Sequence, residues 1–234
     1  MIKIENVEVV GWEHAIRGMR NPMNSWDKSD SINCDTTDCA ECPYDAYCGN
    51  NKYAGFRVGE NDFELMKKLV KAGTDHRKFM RMIVVYADVT APLYWWKEAD
   101  TYKVGTVRNS CSTMHKITEK EFTLDDFSHE HLVSDEIDCL IDIINNLNDA
   151  REIYLNYENV KDNISKDINS KKDVWWQIIQ ILPSSYNQKA TLMLNYEVLA
   201  NMYHSRKNHR LDEWREFCKW IETLPYSELI TMEV

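Results

Sequence analysis

The residues of this chain best suited to chemistry lie near its C-terminus, where Asn195, Asn201 and Arg206 interrupt the run from Leu182 to Trp214. Asparagine carries a donor and an acceptor on one amide, and arginine a permanent charge on a planar donor fork. From Thr191 onward, Leu192, Leu194, Val198, Leu199, Met202 and Tyr203 recur at three-to-four-residue spacing, which predicts an amphipathic helix with one face in a core. The three polar residues are too unevenly spaced to share one narrow stripe of that helix. Polar groups pointing in several directions can touch a ligand on one side and a neighbouring subunit's site on another. Spacing alone also fits a solvated face.

A second candidate is the stretch Thr101 to Ser112, TYKVGTVRNSCS, dense in hydroxyls and amides and carrying two cations. Backbone N–H groups, Ser/Thr hydroxyls and Lys/Arg side chains in such a loop can wrap a phosphate or a pyrimidine edge. The same composition fits a surface turn. A third candidate lies in Asn24 to Lys52, polar and poor in aliphatics, which contains Cys34, Cys39, Cys42 and Cys48. The inner pair forms CxxC, and four thiolates could hold zinc or an iron–sulfur cluster. The outer spacings match no standard knuckle, and a loop of reduced cysteines is the alternative.

The elements that must position these groups are those of one domain, residues 1–234, with a cysteine-containing excursion at 24–52. A chain of 234 residues with 44% hydrophobic content can bury a substantial core. The formal net charge of −10 argues against non-specific nucleic-acid binding but leaves room for a local basic pocket. No apolar run approaches the roughly 20 residues of a membrane helix, and MIKIENVEVV lacks a signal-peptide pattern. A cytoplasmic protein without membrane association is the expectation. Ile2 to Val10 alternates as a strand closed by Gly11, and Trp12 to Met19 reads as a short helix. Asp62 to Ala72 reads as a helix with Asn61 or Asp62 as N-cap and Gly73 beyond its end. Met80 to Val89 is the strongest strand, and Pro92 suits the first turn of the helix after it. Ser134 and Asp173 are expected to cap two further helices, and a last helix starts at Leu211.

Leu182-Pro183 followed by Asn195, Asn201 and Arg206 resembles the flavin-dependent thymidylate synthases. The helix ending LVKAG before His76 and Phe79 looks like the family's helix into a His-containing turn. The strand Met82 to Val89, the Ala91-Pro92 helix start and the polar loop after it resemble the family's core strand, helix and signature loop. The resemblance covers Phe63 to Ser112 and Val174 to Ile221. It implies an α+β fold with an antiparallel sheet flanked by helices, assembled as a homotetramer. It further implies FAD as cofactor, methylene-tetrahydrofolate and NADPH as co-substrates, and dUMP or a related pyrimidine nucleotide as substrate. On that resemblance His76, Lys78, Thr101, Tyr102, Lys103, Asn195 and Asn201 fall at the flavin. Glu98, Asn109, Ser110, Ser112 and Arg206 fall at the substrate, with Arg206 polarising the uracil ring as the catalytic cation.

The chain departs from the family where the family is most charged. Its signature opens Arg-His-Arg and continues through Ser and Asn-Glu to a further Ser and Arg. Here the stretch reads Thr101-Tyr102-Lys103, then Thr106, Asn109, Ser110 and Ser112. Lys103 could still pair with a flavin phosphate, and Ser110 and Ser112 could donate to a nucleotide phosphate. Ahead of Pro183, where the family has a phosphate-reaching Arg, stand Ile179 and Gln180. Each charge-assisted hydrogen bond is worth about 1.5–3 kcal/mol, so losing several changes the ligand or the chemistry. Two function classes follow: a divergent flavin-dependent enzyme, or a non-catalytic nucleotide-binding protein acting as ligand sponge or sensor.

Overall fold

A computed structural model describes residues 2–33 and 56–233. Cys34, Cys39, Cys42 and Cys48, with the metal site expected of them, lie outside the described residues. The protein is an α+β fold, an antiparallel sheet flanked by helices. Among the described residues the larger sheet has the order β1-β4-β6-β5, made of Lys3–Val10, Val84–Pro92, Asn187–Asn195 and Val107–Ser110. Tyr196 N–H donates to the Ile83 carbonyl at one end of the central pair, and Leu93 N–H to the Tyr186 carbonyl at the other. Bonds in that order require β4 and β6 to run antiparallel. A two-residue ladder pairs β2 (Ile32–Asn33) with β3 (Phe56–Arg57). The helices are α1 (Trp12–Arg20), α2 (Glu60–Lys71), α3 (Leu93–Ala99), α4 (Ser134–Leu155), α5 (Tyr157–Val160), α6 (Lys171–Ile181), α7 (Tyr196–Arg206), α8 (Asp212–Glu222) and α9 (Glu228–Thr231).

Several elements differ from the sequence reading. The helix expected from Thr191 is β6 up to Asn195 and α7 thereafter. Ala190, Leu192 and Leu194 are buried alternately with more exposed neighbours, which is strand periodicity. The strand expected from Met80 begins at Val84, after a 3₁₀ turn over Lys78–Met82, and Pro92 ends it instead of opening the next helix. Helix α2 begins at Glu60, and Asp62 is no cap. Its Oδ1 accepts from Arg20 Nε at 2.6 Å, and its Oδ2 accepts from the hydroxyls of Ser29 and Ser31, each at 2.6 Å. The first-turn amides of α2 are capped from far upstream: Asn61 N–H and Asp62 N–H donate to the Asp30 carboxylate at 2.9 and 3.1 Å. Helix α4 is preceded by Val133 in place of Ser134, and α6 is capped by Ser170, whose hydroxyl accepts from Asp173 N–H at 3.3 Å.

The chain divides into two compact units, one built chiefly of Thr90–Ala99 and Ser110–Ala190, the other of Ile4–Val89, Asp100–Asn109 and Thr191–Val234 where described. In the first, α4 and α6 pack together and bury Leu140, Ile144, Leu147 and Ile178 against Ile117, Phe122 and Phe127. Asn148 and Arg151 on α4 pin the preceding loop. The Asn148 amide exchanges hydrogen bonds with the Phe122 backbone at 2.8 and 2.9 Å, and Arg151 Nε donates to the Thr118 carbonyl at 3.0 Å. In the second unit, Trp12, Ile16 and Met19 on α1, Leu199 and Met202 on α7, and Phe217 and Ile221 on α8 are buried. Gly11 is required at its turn: its φ is +95°, and a Cβ there would lie 2.1 Å from the Met82 carbonyl oxygen.

Candidate functional site

Asn195 ends β6 and starts α7. Its side-chain oxygen accepts from Val198 N–H at 2.9 Å, capping the helix that carries Asn201 and Arg206. Arg206 sits in the last turn of α7, where a cation meets the negative end of the helix dipole. Its Nε–H donates to the Tyr102 hydroxyl oxygen at 3.0 Å, and its Cζ lies 4.9 Å from the centroid of Trp214 and 5.7 Å from that of Tyr102. The two rings meet edge to face at 6.0 Å. Cation, phenol and indole therefore form one cluster, with Trp214 fully buried and Tyr102 and Arg206 half-buried.

The loop supplying Tyr102 is shaped by three features. Both Asp100 oxygens accept from Arg108 Nη1, at 2.8 and 2.7 Å, which draws the ends of the loop together. Gly105 has φ +78°, and a Cβ there would lie 2.3 Å from Asn195 Nδ2, so only glycine lets the loop rest on the capping amide. The Thr106 hydroxyl oxygen is buried and has no hydrogen-bond partner, a costly state that a bound acceptor or donor would relieve. Lys103 and Thr101 are exposed beside Tyr102.

Of the residues singled out in the sequence, Tyr102 and Arg206 are bonded to each other, and Asn195 packs on their loop. Asn201 is exposed on α7, and Asn109 is exposed on β5. His76 and Lys78 are exposed in the turn after α2. Between them Arg77 is buried and paired with Glu197 of α7, Nη2 donating to Oε1 at 3.1 Å with Nε 3.0 Å from Oε2, which ties that turn to the site helix. Glu98, Ser110 and Ser112 belong to the other compact unit. There Glu98 is half-buried on α3, Ser110 is exposed, and the Ser112 hydroxyl accepts from His115 N–H at 3.1 Å. Ser112 lines a cavity of about 500 Å³ with Cys111, Lys116, Tyr186, Gln188 and Lys189. Gln188 is buried there, and its amide donates to the Cys111 carbonyl at 2.7 Å.

Sequence reasoning missed four contributors: Arg77, Glu197, Gly105 and the packing of Trp214 against Arg206. A Gly two residues after a cation in a polar loop was the one local signal among them. Among the described residues no group of three or more His, Cys, Asp or Glu side chains could hold a metal ion. The Cys218 thiol is pushed up to about 11 by burial and by the Glu222 carboxylate, so it is not a thiolate nucleophile at neutral pH. No helix of the described residues is long and apolar enough to cross a membrane.

No family model matches the sequence, and no curated protein matches it. A crystal structure of thymidylate synthase X (ThyX) from Helicobacter pylori with FAD and dUMP matches with a TM-score of 0.63 at 13% identity, over 99% of this chain and 96% of that one. The fold is that of thymidylate synthase X. A second structure of the Helicobacter pylori enzyme, a flavin-dependent thymidylate synthase complexed with FAD and dUMP, matches with a TM-score of 0.59 at 15% identity, over 98% of each chain. The match runs along the whole chain, so the architecture is shared while most side chains are not.

Proposed function

We propose that this chain is a divergent flavin-dependent thymidylate synthase that binds a pyrimidine nucleotide, dUMP or a close relative, and methylates it reductively. The observation that carries this reading is the arrangement of Arg206, with its Nε–H on Tyr102 of the polar loop and its Cζ over the Trp214 ring, in a chain of thymidylate synthase X fold. Arg206 supplies a fixed cation that can donate to the imide oxygen of a uracil ring and stabilise charge developing on it. Tyr102 orients the guanidinium and offers an aromatic face.

The residues present fit a flavin. The orphaned Thr106 hydroxyl, the exposed Lys103 ammonium and the exposed Asn201 amide give a hydroxyl, a cation and an amide for FAD. Bound FAD would supply the hydride for reduction, with NADPH restoring it and methylene-tetrahydrofolate giving the carbon. Ser110 and Ser112 are assigned to the nucleotide phosphate, with Glu98 and Asn109 at the substrate and His76, Lys78 and Thr101 at the cofactor. The assembly we infer is a homotetramer, in keeping with eight tryptophans and twelve tyrosines, which interfaces favour. Incubation with FAD followed by gel filtration tests the reading: retained absorbance near about 450 nm, a flavin property, is expected. Protein that emerges colourless and still binds dUMP would be a nucleotide binder and no enzyme, the reading favoured by the missing arginines of the polar loop.

A further inference from the structure

One polar atom of the loop before β5 is left in a state that stability alone would not select. The Thr106 hydroxyl oxygen is buried and, among the described residues, has no hydrogen-bond partner. A hydroxyl in that position carries its desolvation penalty with nothing to offset it. The loop is pinned around it on three sides. Arg108 Nη1 on the Asp100 carboxylate draws its ends together, and Tyr102 lies edge to face on the buried Trp214 at 6.0 Å. Gly105, at φ +78°, packs so closely that a Cβ there would lie 2.3 Å from Asn195 Nδ2. These contacts hold Thr106 where a relaxed loop would turn its hydroxyl to water. The tip beside it is open, with Val104 90% exposed. A turn about the Thr106 Cα–Cβ bond, or a small shift of that tip, brings the hydroxyl within reach of a bound molecule.

The groups around Thr106 define the kind of molecule. Asn195 commits its side-chain oxygen to Val198 N–H at 2.9 Å and turns its amide nitrogen, a donor, toward Gly105. Lys103 is exposed three residues before Thr106. From Thr101 to Thr106 there is no acidic side chain, and the neighbouring Asp100 has both oxygens on Arg108. An ammonium, an amide nitrogen and a hydroxyl with no free carboxylate on the loop suit an anionic group that only accepts hydrogen bonds. We propose that Thr106 is a phosphate-binding residue, its hydroxyl unpaired in the free protein and donating to a phosphate oxygen of a bound nucleotide. This rests on the nucleotide reading of the site, and the phosphate belongs to FAD or to dUMP. A group unpaired in the free state and paired in the bound one lowers stability and raises affinity, so removing it must move the two in opposite directions.

The test compares the full chain as wild type, Thr106→Val and Thr106→Ser, by thermal melts without ligand and by titration with FAD and with dUMP. Valine keeps the shape of threonine and lacks the hydroxyl. Thr106→Val is expected to melt at or slightly above the wild-type temperature. It should also bind one of the two ligands at least about tenfold more weakly, the scale of a hydrogen bond to a charged group. Thr106→Ser keeps the hydroxyl and should bring that affinity back to within about threefold of wild type. The ligand whose affinity falls identifies the phosphate, FAD for the cofactor's and dUMP for the substrate's. A lower melting temperature in Thr106→Val, as a hydroxyl paired with buried water would give, overturns the proposal, and so does unchanged affinity for both ligands. In either case a wild type that binds FAD or dUMP leaves the nucleotide reading standing. A wild type that binds neither removes that reading and the phosphate contact with it.

Discussion

Two arginines in the same compact unit are held in opposite ways. Arg20, 4% exposed, is gripped along its whole edge: Nε donates to Asp62, Nη1 to the Ser25 carbonyl and hydroxyl, and Nη2 to the Lys28 carbonyl. Arg206 is half-buried, with its Cζ over the Trp214 ring and its Nε–H donating to the Tyr102 hydroxyl. The first arrangement satisfies a charge so that chain segments far apart in sequence can be joined in the interior. The second orders a charge without enclosing it. That difference separates an arginine that serves the fold from one suited to a ligand, and substitutions at each should divide stability from binding.

The largest effect is expected at the enclosed node. Asp62→Asn leaves Arg20 buried without its carboxylate, and breaking a buried pair in this way costs about 3–5 kcal/mol. Thermal melts of the two proteins should show a loss of many degrees at pH 7. Burial pushes the Asp62 carboxyl upward, but hydrogen bonds from Ser29, Ser31 and Arg20 outweigh it and hold it below the usual carboxylate range. A depressed folded-state value means the stabilisation is fully present above the unfolded value and is lost as pH falls through the lower folded one. The gap between wild type and Asp62→Asn should therefore close only below about pH 4. A gap that closes nearer neutrality would show that Asp62 is not held as described.

Arg206→Ala should lower the melting temperature by only a few degrees, yet weaken dUMP by about ten- to a hundredfold, the scale of one charge-assisted hydrogen bond. Large destabilisation without loss of binding would place it with Arg20. Between these lies the contact that seats the loop: Gly105→Ala must adopt positive φ and displace the Asn195 amide, and a loss of about 1–2 kcal/mol in a denaturant melt is expected. The smallest effect belongs to an exposed pair. Lys207 Nζ lies 2.7 Å from Glu233 Oε1 at the surface, and Lys207→Ala should change unfolding free energy by less than about 1 kcal/mol.

Much of this was legible in the sequence where the signal was local. The stripe of Leu140, Ile144 and Leu147 indicates a helix, the pattern from Ile2 to Val10 a strand, and Asn195 and Arg206 stand out among apolar neighbours. The break between β6 and α7 was not legible. Leu192 and Leu194 satisfy a helical pattern as well as a strand pattern when followed by Val198 and Leu199, and the decision rests on Asn195 turning its side chain back to cap. Long-range partners left no local trace either. Asp30 caps a helix thirty residues on, Arg77 meets Glu197 across the chain, and Trp214 reads as one more core aromatic until Arg206 is seen against its face.

The most direct measurement is calorimetric titration of FAD-loaded protein with dUMP, run side by side on the wild type and Arg206→Ala. The account predicts saturable one-site binding by the wild type, weakened at least about tenfold in the variant, with both proteins folded at the temperature used. Equal binding by the two proteins, or none by a flavin-loaded wild type, would contradict it.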